Sequence, residues 1–348
     1  MSLIPSAYNW YVVLCLSEFK NVTMEASAGR TDRYPIGGPD SALGRKKLVF
    51  LIGAPRSGTT WLQLLLSQSA HIATAHETHL FNAYLRSCFD TWDDFGRKQQ
   101  EFGLHHLLTE EEYGAALRMP IEMIFGKFLR EKPAATVILE KTPSHALYWQ
   151  DILRIFPNAH FLHIVRDPRS VVASLRAAST DWGSGWAPRS VAKACQLWID
   201  HVASAVRIPS ATSRYFLVRY RDLIDDGSNT LKSIFRWLEI EHSEMECHKF
   251  VDQLTFSKLQ SVERAQRGPN LDPQALFFRR GTRDAWKTDL SKREIALIER
   301  LTNPWIRTLG YELTNPKGFS VALASLNVAT HRSRRSLRWY LRKMAAGL

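Results

Sequence analysis

An apolar run that leads into a loop rich in Gly, Ser and Thr constrains the fold of this chain most strongly. Residues 48–61 read Leu-Val-Phe-Leu-Ile-Gly-Ala-Pro-Arg-Ser-Gly-Thr-Thr-Trp, and a helical pattern follows. This order predicts a buried strand, a phosphate-cradling loop and a helix N-terminus. Backbone N–H groups and the helix dipole favour an anion at such a junction.

The loop departs at one position from the Walker A motif of proteins that bind nucleoside triphosphates. Gly53 and Gly58 have the G-x-x-x-x-G spacing, but Thr59 stands where that motif has lysine. The loop carries its cation at Arg56 instead. We therefore expect it to bind an anion other than the triphosphate of a magnesium–ATP complex.

Short apolar strands alternate with helical patterns over most of the chain. Strands are predicted at 47–53, 71–75, 135–139, 160–165 and 214–219, and helices near 60–69, 110–130, 145–156, 168–178, 188–207 and 227–239. This alternation indicates βαβ units with parallel strands. The predicted fold class is α/β, a P-loop-like three-layer fold with a central parallel sheet flanked by helices.

The ends of the chain differ from this pattern. We predict an N-terminal extension and linker at 1–45, one enzyme domain at 46–310 and a basic C-terminal tail at 311–348. The apolar segment 10–16 is too short to span a bilayer and lacks the basic region of a signal peptide. For the tail, a solvated terminus and a helix on a membrane surface both stay open.

Near the C-terminal end of the predicted domain, one segment has the pattern of a loop and the next has the pattern of a helix. Residues 256–290 lack clear periodicity and hold many polar residues, which is typical of a lid or binding loop. Ser291 and Glu294 have the spacing of a capping box, so a helix is predicted near 291–308.

Composition limits the partners and the compartment. The net charge is +12, which favours an anionic partner without selecting one. The four cysteines are far apart and form no CxxC motif, so neither a zinc site nor a disulfide framework is expected. Reduced thiols in the cytoplasm are the simplest interpretation.

Two further segments carry basic residues at positions suited to an anion. In residues 161–174 an apolar strand ends at Arg166, Pro168 begins a helix, and Ser174 lies on its second turn. Open α/β sheets bind ligands at the carboxyl ends of their strands. Residues 278–287 read Phe-Arg-Arg-Gly-Thr-Arg-Asp-Ala-Trp-Lys and form a second basic segment.

Together these segments resemble sulfotransferases that use 3′-phosphoadenosine-5′-phosphosulfate (PAPS). Residues 55–60 are similar to the family's 5′-phosphosulfate loop, P-[KR]-S-G-T-[TS]. Residues 165–174 are similar to its 3′-phosphate motif, V-R-[DN]-P-x-[DE]-x-x-x-S, but lack the acidic residue. Residues 279–287 are similar to R-K-G-x-x-G-D-W-K, with Asp284 and Ala285 where Gly-Asp is expected.

The resemblance implies PAPS as co-substrate, adenosine 3′,5′-bisphosphate (PAP) as product, and no metal. In the family, the loop amides hold the 5′-phosphate, the arginine and serine of the second motif bind the 3′-phosphate, and a tyrosine lies beside the adenine. The residues it implies for nucleotide binding are Arg56, Ser57, Gly58, Thr59, Thr60, Trp61, Arg166, Ser174, Tyr220, Arg279, Arg280 and Gly281.

A hydroxyl acceptor becomes a good nucleophile only when a base takes its proton. Glu77 lies 21 residues after Arg56, where tyrosylprotein-type sulfotransferases have a catalytic glutamate. His145 ends a Glu-Lys-Thr-Pro-Ser-His segment that resembles bacterial members, and Lys141 matches a family lysine near the transferring group. We favour Glu77 as the base and keep His145 as the alternative. Each of the two also has the simpler interpretation of a helix cap.

The sequence thus predicts transfer of a sulfuryl group from PAPS to an acceptor hydroxyl of a glycan, glycolipid, phenol or small metabolite. A P-loop kinase is the alternative enzyme, and a non-catalytic nucleotide- or nucleic-acid-binding protein is the alternative of another class. Arg56, Lys141 and the loop amides are expected to supply the positive charge. We expect no nucleic-acid partner and leave open a homo-oligomer and a peripheral membrane contact through the tail.

Overall fold

Five short apolar segments form one parallel sheet in a computed structural model, which describes residues 43–44, 46–98, 102–267, 276–279 and 281–314. The strands are β1 Lys47–Ile52, β2 Ile72–Thr74, β3 Val137–Lys141, β4 His160–Val165 and β5 Tyr215–Arg219. Their order is β2-β3-β1-β4-β5, and every neighbouring pair is parallel. Parallel neighbours need crossover connections, which the intervening helices provide. The predicted α/β class is confirmed.

The helices between and after the strands follow the chain in a regular order. They are α1 Thr59–Ser67, α2 Arg86–Lys98, α3 Glu110–Gly126, α4 Trp149–Ile155, α5 Pro168–Ser179, α6 Val191–Ala205, α7 Tyr220–Asp225, α8 Gly227–Trp237, α9 Glu244–Gln253, α10 Phe256–Arg267, α11 Trp286–Asp289, α12 Lys292–Thr302 and α13 Trp305–Thr308. A π-helical turn spans Leu80–Tyr84, and a 3₁₀ turn spans Pro143–Leu147.

The central strands are buried on both faces, as expected of a parallel sheet between helices. In β1, the residues from Val49 to Ile52 are fully buried. The ring of Phe50 stacks on Phe161 of β4 and meets the edges of Phe81 and His145, with ring centroids 5.9 to 6.1 Å away. This aromatic cluster fixes the turn that carries Phe81 against the sheet.

Within the segment 256–290, the expectation of an irregular loop is wrong over α10. This helix buries Glu263, whose carboxylate accepts the backbone N–H groups of Phe277 and Phe278 at 2.7 and 3.2 Å. A helix is predicted from apolar residues spaced three or four positions apart, and a charged residue at a core position interrupts that spacing. Helices α2 and α9 were likewise not predicted.

The predicted capping box at the start of α12 is confirmed. The Ser291 hydroxyl accepts the N–H of Glu294 at 3.3 Å, and the Glu294 carboxylate accepts the N–H of Ser291 at 2.8 Å. The helix ends at Thr302, before the cis peptide Asn303–Pro304. The predicted helix at 291–308 is therefore two helices, α12 and α13.

The chain divides into two compact units. Unit 1 comprises Met1–Arg166 and His201–Gly281, and unit 2 comprises Asp167–Asp200 and Thr282–Leu348. Unit 1 contains the whole sheet. Within unit 2, Arg169 of α5 pairs with Glu299 of α12 at 2.6 Å, so these helices are joined by a buried ion pair. The domain boundaries at 46 and 310 stay predictions.

Several expectations concern residues outside those described. They are the extension at 1–42, most of the tail, and Cys15; Cys88, Cys195 and Cys247 are free thiols. Over the described ranges, no helix has the length and apolar character needed to cross a membrane.

A buried histidine in β4 gives the stability of unit 1 a pH dependence. Burial, together with the smaller effect of the nearby His201, lowers the pKa of His163 from 6.5 to about 3. The unfolded chain therefore binds a proton between these values while the folded chain does not. The contribution of neutral His163 to the free energy of unfolding is therefore fully present above about pH 6.5 and is lost as the pH falls towards 3.

We expect His163→Gln to show a flatter dependence of the melting temperature on pH between 7 and 4 than the wild type. The hydroxyl of Tyr215 lies 2.7 Å from Nδ1 of His163, so glutamine retains a polar partner for it. Thermal denaturation over this pH series measures the effect. Replacement of the exposed His248 by glutamine is the control, and equal slopes for wild type and His163→Gln would contradict the assignment.

Candidate functional site

The loop between β1 and α1 has the backbone of an anion cradle. Gly58, which precedes α1, has φ +99°, and a Cβ there would lie 2.6 Å from the ring of Tyr220. Arg56 also has a positive φ, +73°. The hydroxyl of Ser57 is buried and has no hydrogen-bond partner among the described residues. A buried donor of this kind implies a polar group that the loop receives.

Three of the predicted residues lie at the carboxyl edge of the sheet. Lys141 is the last residue of β3 and pairs in register with Leu51 of β1. Arg166 directly follows β4, and Tyr220 directly follows β5. Because the strands are parallel, their carboxyl ends share one edge, which is where α/β sheets bind ligands.

Glu77 and Lys141 form an ion pair next to the loop helix. Nζ of Lys141 lies 2.5 Å from Oε1 of Glu77 and 3.4 Å from Oγ1 of Thr60, the second residue of α1. The Lys141 side chain is fully buried and that of Glu77 is 7% exposed. The fold thus joins Glu77, 64 positions before Lys141 in the chain, to the start of α1.

Two histidines flank this pair. Nε2 of His79 lies 3.3 Å from Oε2 of Glu77. The hydrogen bond to Glu77 raises the pKa of His79, an effect that burial opposes and the charges of Glu77 and Glu140 support. In contrast, burial lowers the pKa of His76, and the charge of Lys141 lowers it further. The surroundings of Glu77 therefore favour a cation at His79 and a neutral ring at His76.

His145 is part of a buried hydrogen-bond network. Its Nδ1 lies 2.8 Å from Oε2 of Glu140, and its Nε2 accepts the N–H of Phe81 at 3.2 Å. The other Glu140 oxygen accepts the hydroxyls of Thr142 and Thr78 at 2.6 and 2.8 Å. Burial raises the pKa of Glu140, but its contact with His145 and these hydrogen bonds outweigh that effect, so the pKa lies below its ordinary value. Both ring nitrogens of His145 are used to hold the segment that follows Glu77.

Arg56 is held by a segment that sequence analysis assigned to an irregular loop. Its Nη2 donates to the carbonyl oxygen of Phe277 at 2.6 Å, and its guanidinium lies 4.4 Å from the centroid of the Phe277 ring. Glu263 of α10 in turn accepts the N–H of Phe277. No local motif marks Phe277 or Glu263, which lie more than 200 positions after Arg56.

Arg166, Tyr220 and Trp61 form a packed group beside the loop. The guanidinium of Arg166 lies 4.1 Å from the centroid of the Tyr220 ring, and its Nη1 donates to the Arg56 carbonyl oxygen at 3.3 Å. Trp61 meets Tyr220 edge to face at 5.8 Å and donates from Nε1 to the Leu254 carbonyl oxygen. Burial raises the pKa of Tyr220, whose hydroxyl has no partner among the described residues.

The remaining predicted residues lie in several places. Ser174 is buried as the seventh residue of α5, in unit 2. In unit 1, Gln260 donates to the carbonyl oxygen of Arg279 at 2.8 Å, and Gly281 lies so close to Phe256 that a Cβ would be 2.3 Å from its ring. Arg280 lies outside the described residues.

The chain is similar in sequence to known sulfotransferases. The model of the sulfotransferase family matches residues 49–244. A putative protein-tyrosine sulfotransferase of Caenorhabditis briggsae is 22% identical over 275 residues, 78% of this chain and 91% of the relative. The protein-tyrosine sulfotransferase of Drosophila melanogaster is 24% identical over 225 residues, 63% of this chain and 43% of the relative.

Among solved structures, mouse sulfotransferase SULT7A1 complexed with PAP is similar with a TM-score of 0.49 at 18% identity, over 76% of this chain and 85% of that one. The family match covers more than half of the sequence, from β1 to the start of α9. The chain belongs to the sulfotransferase family, and the enzyme class predicted from the sequence is confirmed.

Proposed function

We propose that this enzyme transfers a sulfuryl group from PAPS to an acceptor hydroxyl in line, with Glu77 as the general base. The observation that carries the proposal is the contact of Lys141 with both Glu77 and Thr60. A carboxylate, a buried cation and the start of a phosphate-loop helix thereby lie within one cluster. This is the combination that base-assisted transfer from an anionic donor requires.

The residues of the loop fit a phosphate group. Hydrogen-bond donors come from the buried Ser57 hydroxyl and the guanidinium of Arg56. The N-terminus of α1 adds the positive end of a helix dipole. We propose that residues 55–60 hold the 5′-phosphosulfate, and that Arg166 and Ser174 bind the 3′-phosphate. Trp61 and Tyr220 are proposed at the adenine, with Arg279, Arg280 and Gly281 closing on the 3′-phosphate.

When bound, PAPS supplies the sulfuryl group and a phosphate that serves as leaving group. Arg56 and Lys141 would oppose the negative charge that grows on the bridging oxygen as the S–O bond breaks. Glu77 would take the acceptor proton as the new O–S bond forms. These steps rely on positioning and charge, as in phosphoryl transfer. We propose no metal step.

His145 is a weaker candidate for the base. Its side chain is fully buried, Nδ1 faces Glu140 and Nε2 accepts the Phe81 N–H. A base needs a lone pair that reaches the acceptor proton. Glu77 retains some exposure, and a carboxylate oxygen can accept more than one hydrogen bond. We therefore assign His145 to the support of the segment that carries Glu77.

The proposed acceptor is a hydroxyl of a glycan, glycolipid, phenol or small metabolite. The relatives that are protein-tyrosine sulfotransferases add a tyrosyl phenol to the candidates. A P-loop kinase is not favoured, because Thr59 stands at the Walker lysine and the family match is to sulfotransferases. A cytoplasmic location, a homo-oligomer, a peripheral membrane contact and the lack of a nucleic-acid partner stay predictions.

Two measurements test the proposal. Thermal stabilisation by PAP, compared with ATP and magnesium, identifies the nucleotide; we expect a rise in melting temperature with PAP alone. Transfer from [³⁵S]PAPS to a panel containing 2-naphthol, a tyrosine peptide, a chitooligosaccharide and a glycolipid identifies the acceptor, with hydrolysis by water as the basal rate. Stabilisation by magnesium–ATP and not by PAP would contradict the proposal.

Replacing Arg166 by alanine is expected to weaken PAP binding by about 2–4 kcal/mol, because it removes a charge-assisted pair with the 3′-phosphate. Isothermal titration calorimetry with PAP measures the loss. Replacement of the exposed Arg236 by alanine is the matched control. Since Arg166 also packs on Tyr220, the variant's melting temperature is recorded alongside. A folded Arg166→Ala protein with unchanged affinity would remove Arg166 from the nucleotide site.

A further inference from the structure

His79 is the side chain next to Glu77 to which sequence analysis assigned no role. Its Nε2 lies 3.3 Å from Oε2 of Glu77, while Lys141 occupies Oε1. The amide of Asn82 lies 3.1 Å from Nδ1 of His79. In the neutral ring, an amide N–H donated to Nδ1 leaves the ring proton on Nε2, where it points at Glu77. In the imidazolium, Nε2 keeps that proton, and Nδ1–H is accepted by the Asn82 amide oxygen when the amide is turned over. Both oxygens of the Glu77 carboxylate are thus held by a donor.

The backbone of His79 is held in an uncommon conformation. Its φ is +53°, in the left-handed region that residues other than glycine rarely adopt. The His79 N–H donates to Oγ1 of Thr142 at 3.3 Å, and its carbonyl oxygen accepts the N–H of Ala83 at 2.9 Å. Strained backbone persists where surrounding contacts determine it, and it concentrates at functional sites. Here it directs the ring of His79 to Glu77.

Exposure separates the two side chains. The side chain of His79 is 46% exposed, whereas that of Glu77 is 7% exposed. His79 therefore exchanges protons with solvent while it contacts the enclosed carboxylate. The charged groups that act on it are Glu77, from its own segment, and Glu140, from β3. Both are acidic and favour the imidazolium.

We propose that His79 is a positioning residue for the general base: its Nε2–H holds Oε2 of Glu77 in the orientation that receives the acceptor proton. The inference rests on the proposed function, because it gives His79 a role only through Glu77. As an imidazolium, His79 also favours the carboxylate form of Glu77, which extends activity to lower pH.

Two variants separate the hydrogen bond from the charge. His79→Asn suits the left-handed backbone but is too short to reach Glu77. We expect it to lower kcat about ten- to a hundredfold, the effect of one charge-assisted hydrogen bond, and to leave PAP affinity unchanged. His79→Gln carries a neutral donor of similar reach. It should restore much of kcat at high pH. The midpoint of the low-pH fall in kcat should stay about one pH unit higher than in the wild type.

A double-variant cycle and an NMR titration decide the inference. If His79 acts through Glu77, His79→Asn should cause little further loss of basal PAPS hydrolysis in a Glu77→Gln background. The pKa of His79, followed by its ring NMR signals, should fall in Glu77→Gln.

Wild-type kcat and pH profile for His79→Asn, additive losses in the double variant, or an unchanged His79 titration would each overturn the inference. Each of these results leaves the base assignment intact as long as Glu77→Gln is impaired. Near-normal turnover by Glu77→Gln would instead overturn the proposed base, and the role of His79 with it.

Discussion

Glu77→Gln is expected to lower kcat about 10²–10⁴-fold, the usual contribution of a general base, while PAP affinity stays at the wild-type value. Glutamine keeps the shape of the side chain and can still contact His79, but it has no carboxylate to accept a proton. The loss should therefore appear in turnover rather than in binding. Steady-state transfer from [³⁵S]PAPS to the best acceptor of the panel measures kcat, and calorimetry measures PAP binding.

Two comparisons make this result specific. Glu241→Gln, at an exposed position, is the matched control for the change of charge. His145→Ala opens a hole beside Phe50 and Phe81 and leaves Glu140 without its partner, so we expect it to reduce the melting temperature and to cost less turnover than Glu77→Gln. Near-normal turnover by Glu77→Gln beside a folded, inactive His145→Ala would make the histidine the base.

Arg56→Ala is expected to lower kcat about a hundredfold or more, because the proposed function has Arg56 oppose the charge that increases as the S–O bond breaks. The KM for PAPS should change much less. Alanine has the same steric cost as arginine at φ +73°, so the loop backbone is not a new source of strain. Initial rates over a range of PAPS concentrations separate the two constants.

Phe277→Leu is the structural control for Arg56. It removes the ring beneath the guanidinium but retains the carbonyl oxygen that accepts from Nη2. We expect a small effect on kcat if Arg56 acts on the leaving group. An equal loss in Phe277→Leu and Arg56→Ala would mean that Arg56 mainly orders the segment around Phe277. A change in KM alone for Arg56→Ala would move it to a binding role.

The parallel sheet and the loop between β1 and α1 were predictable because their signals are local. The apolar run of β1, the glycines around Arg56 and the helix pattern after Thr59 lie within about one strand–turn–helix unit, so spacing alone identifies them. The same holds for the strand that ends before Arg166 and for the capping box at Ser291. Backbone geometry over a few residues dictates each of these features.

The choice between Glu77 and His145 was not decided by the sequence. Both lie near the ends of predicted strands, and either residue type serves as a base. What distinguishes them is burial and partners: Glu140 and the Phe81 N–H occupy both nitrogens of His145, whereas Glu77 meets Lys141 beside Thr60. These contacts depend on how β3 lies against β1 and on the turn after Glu77.

The sequence by itself determined the α/β class, the strand–loop–helix unit at β1 and the family resemblance, since each depends on residues close together in the chain. Only the tertiary structure showed that α10 buries Glu263 and holds Phe277 against Arg56, and that His79 turns its ring to Glu77. In a pattern of apolar and polar residues, a buried charged residue cannot be distinguished from one at the surface. The groups that donate hydrogen bonds to it come from distant segments of the chain. Such pairings follow from packing, which spacing along the chain does not contain.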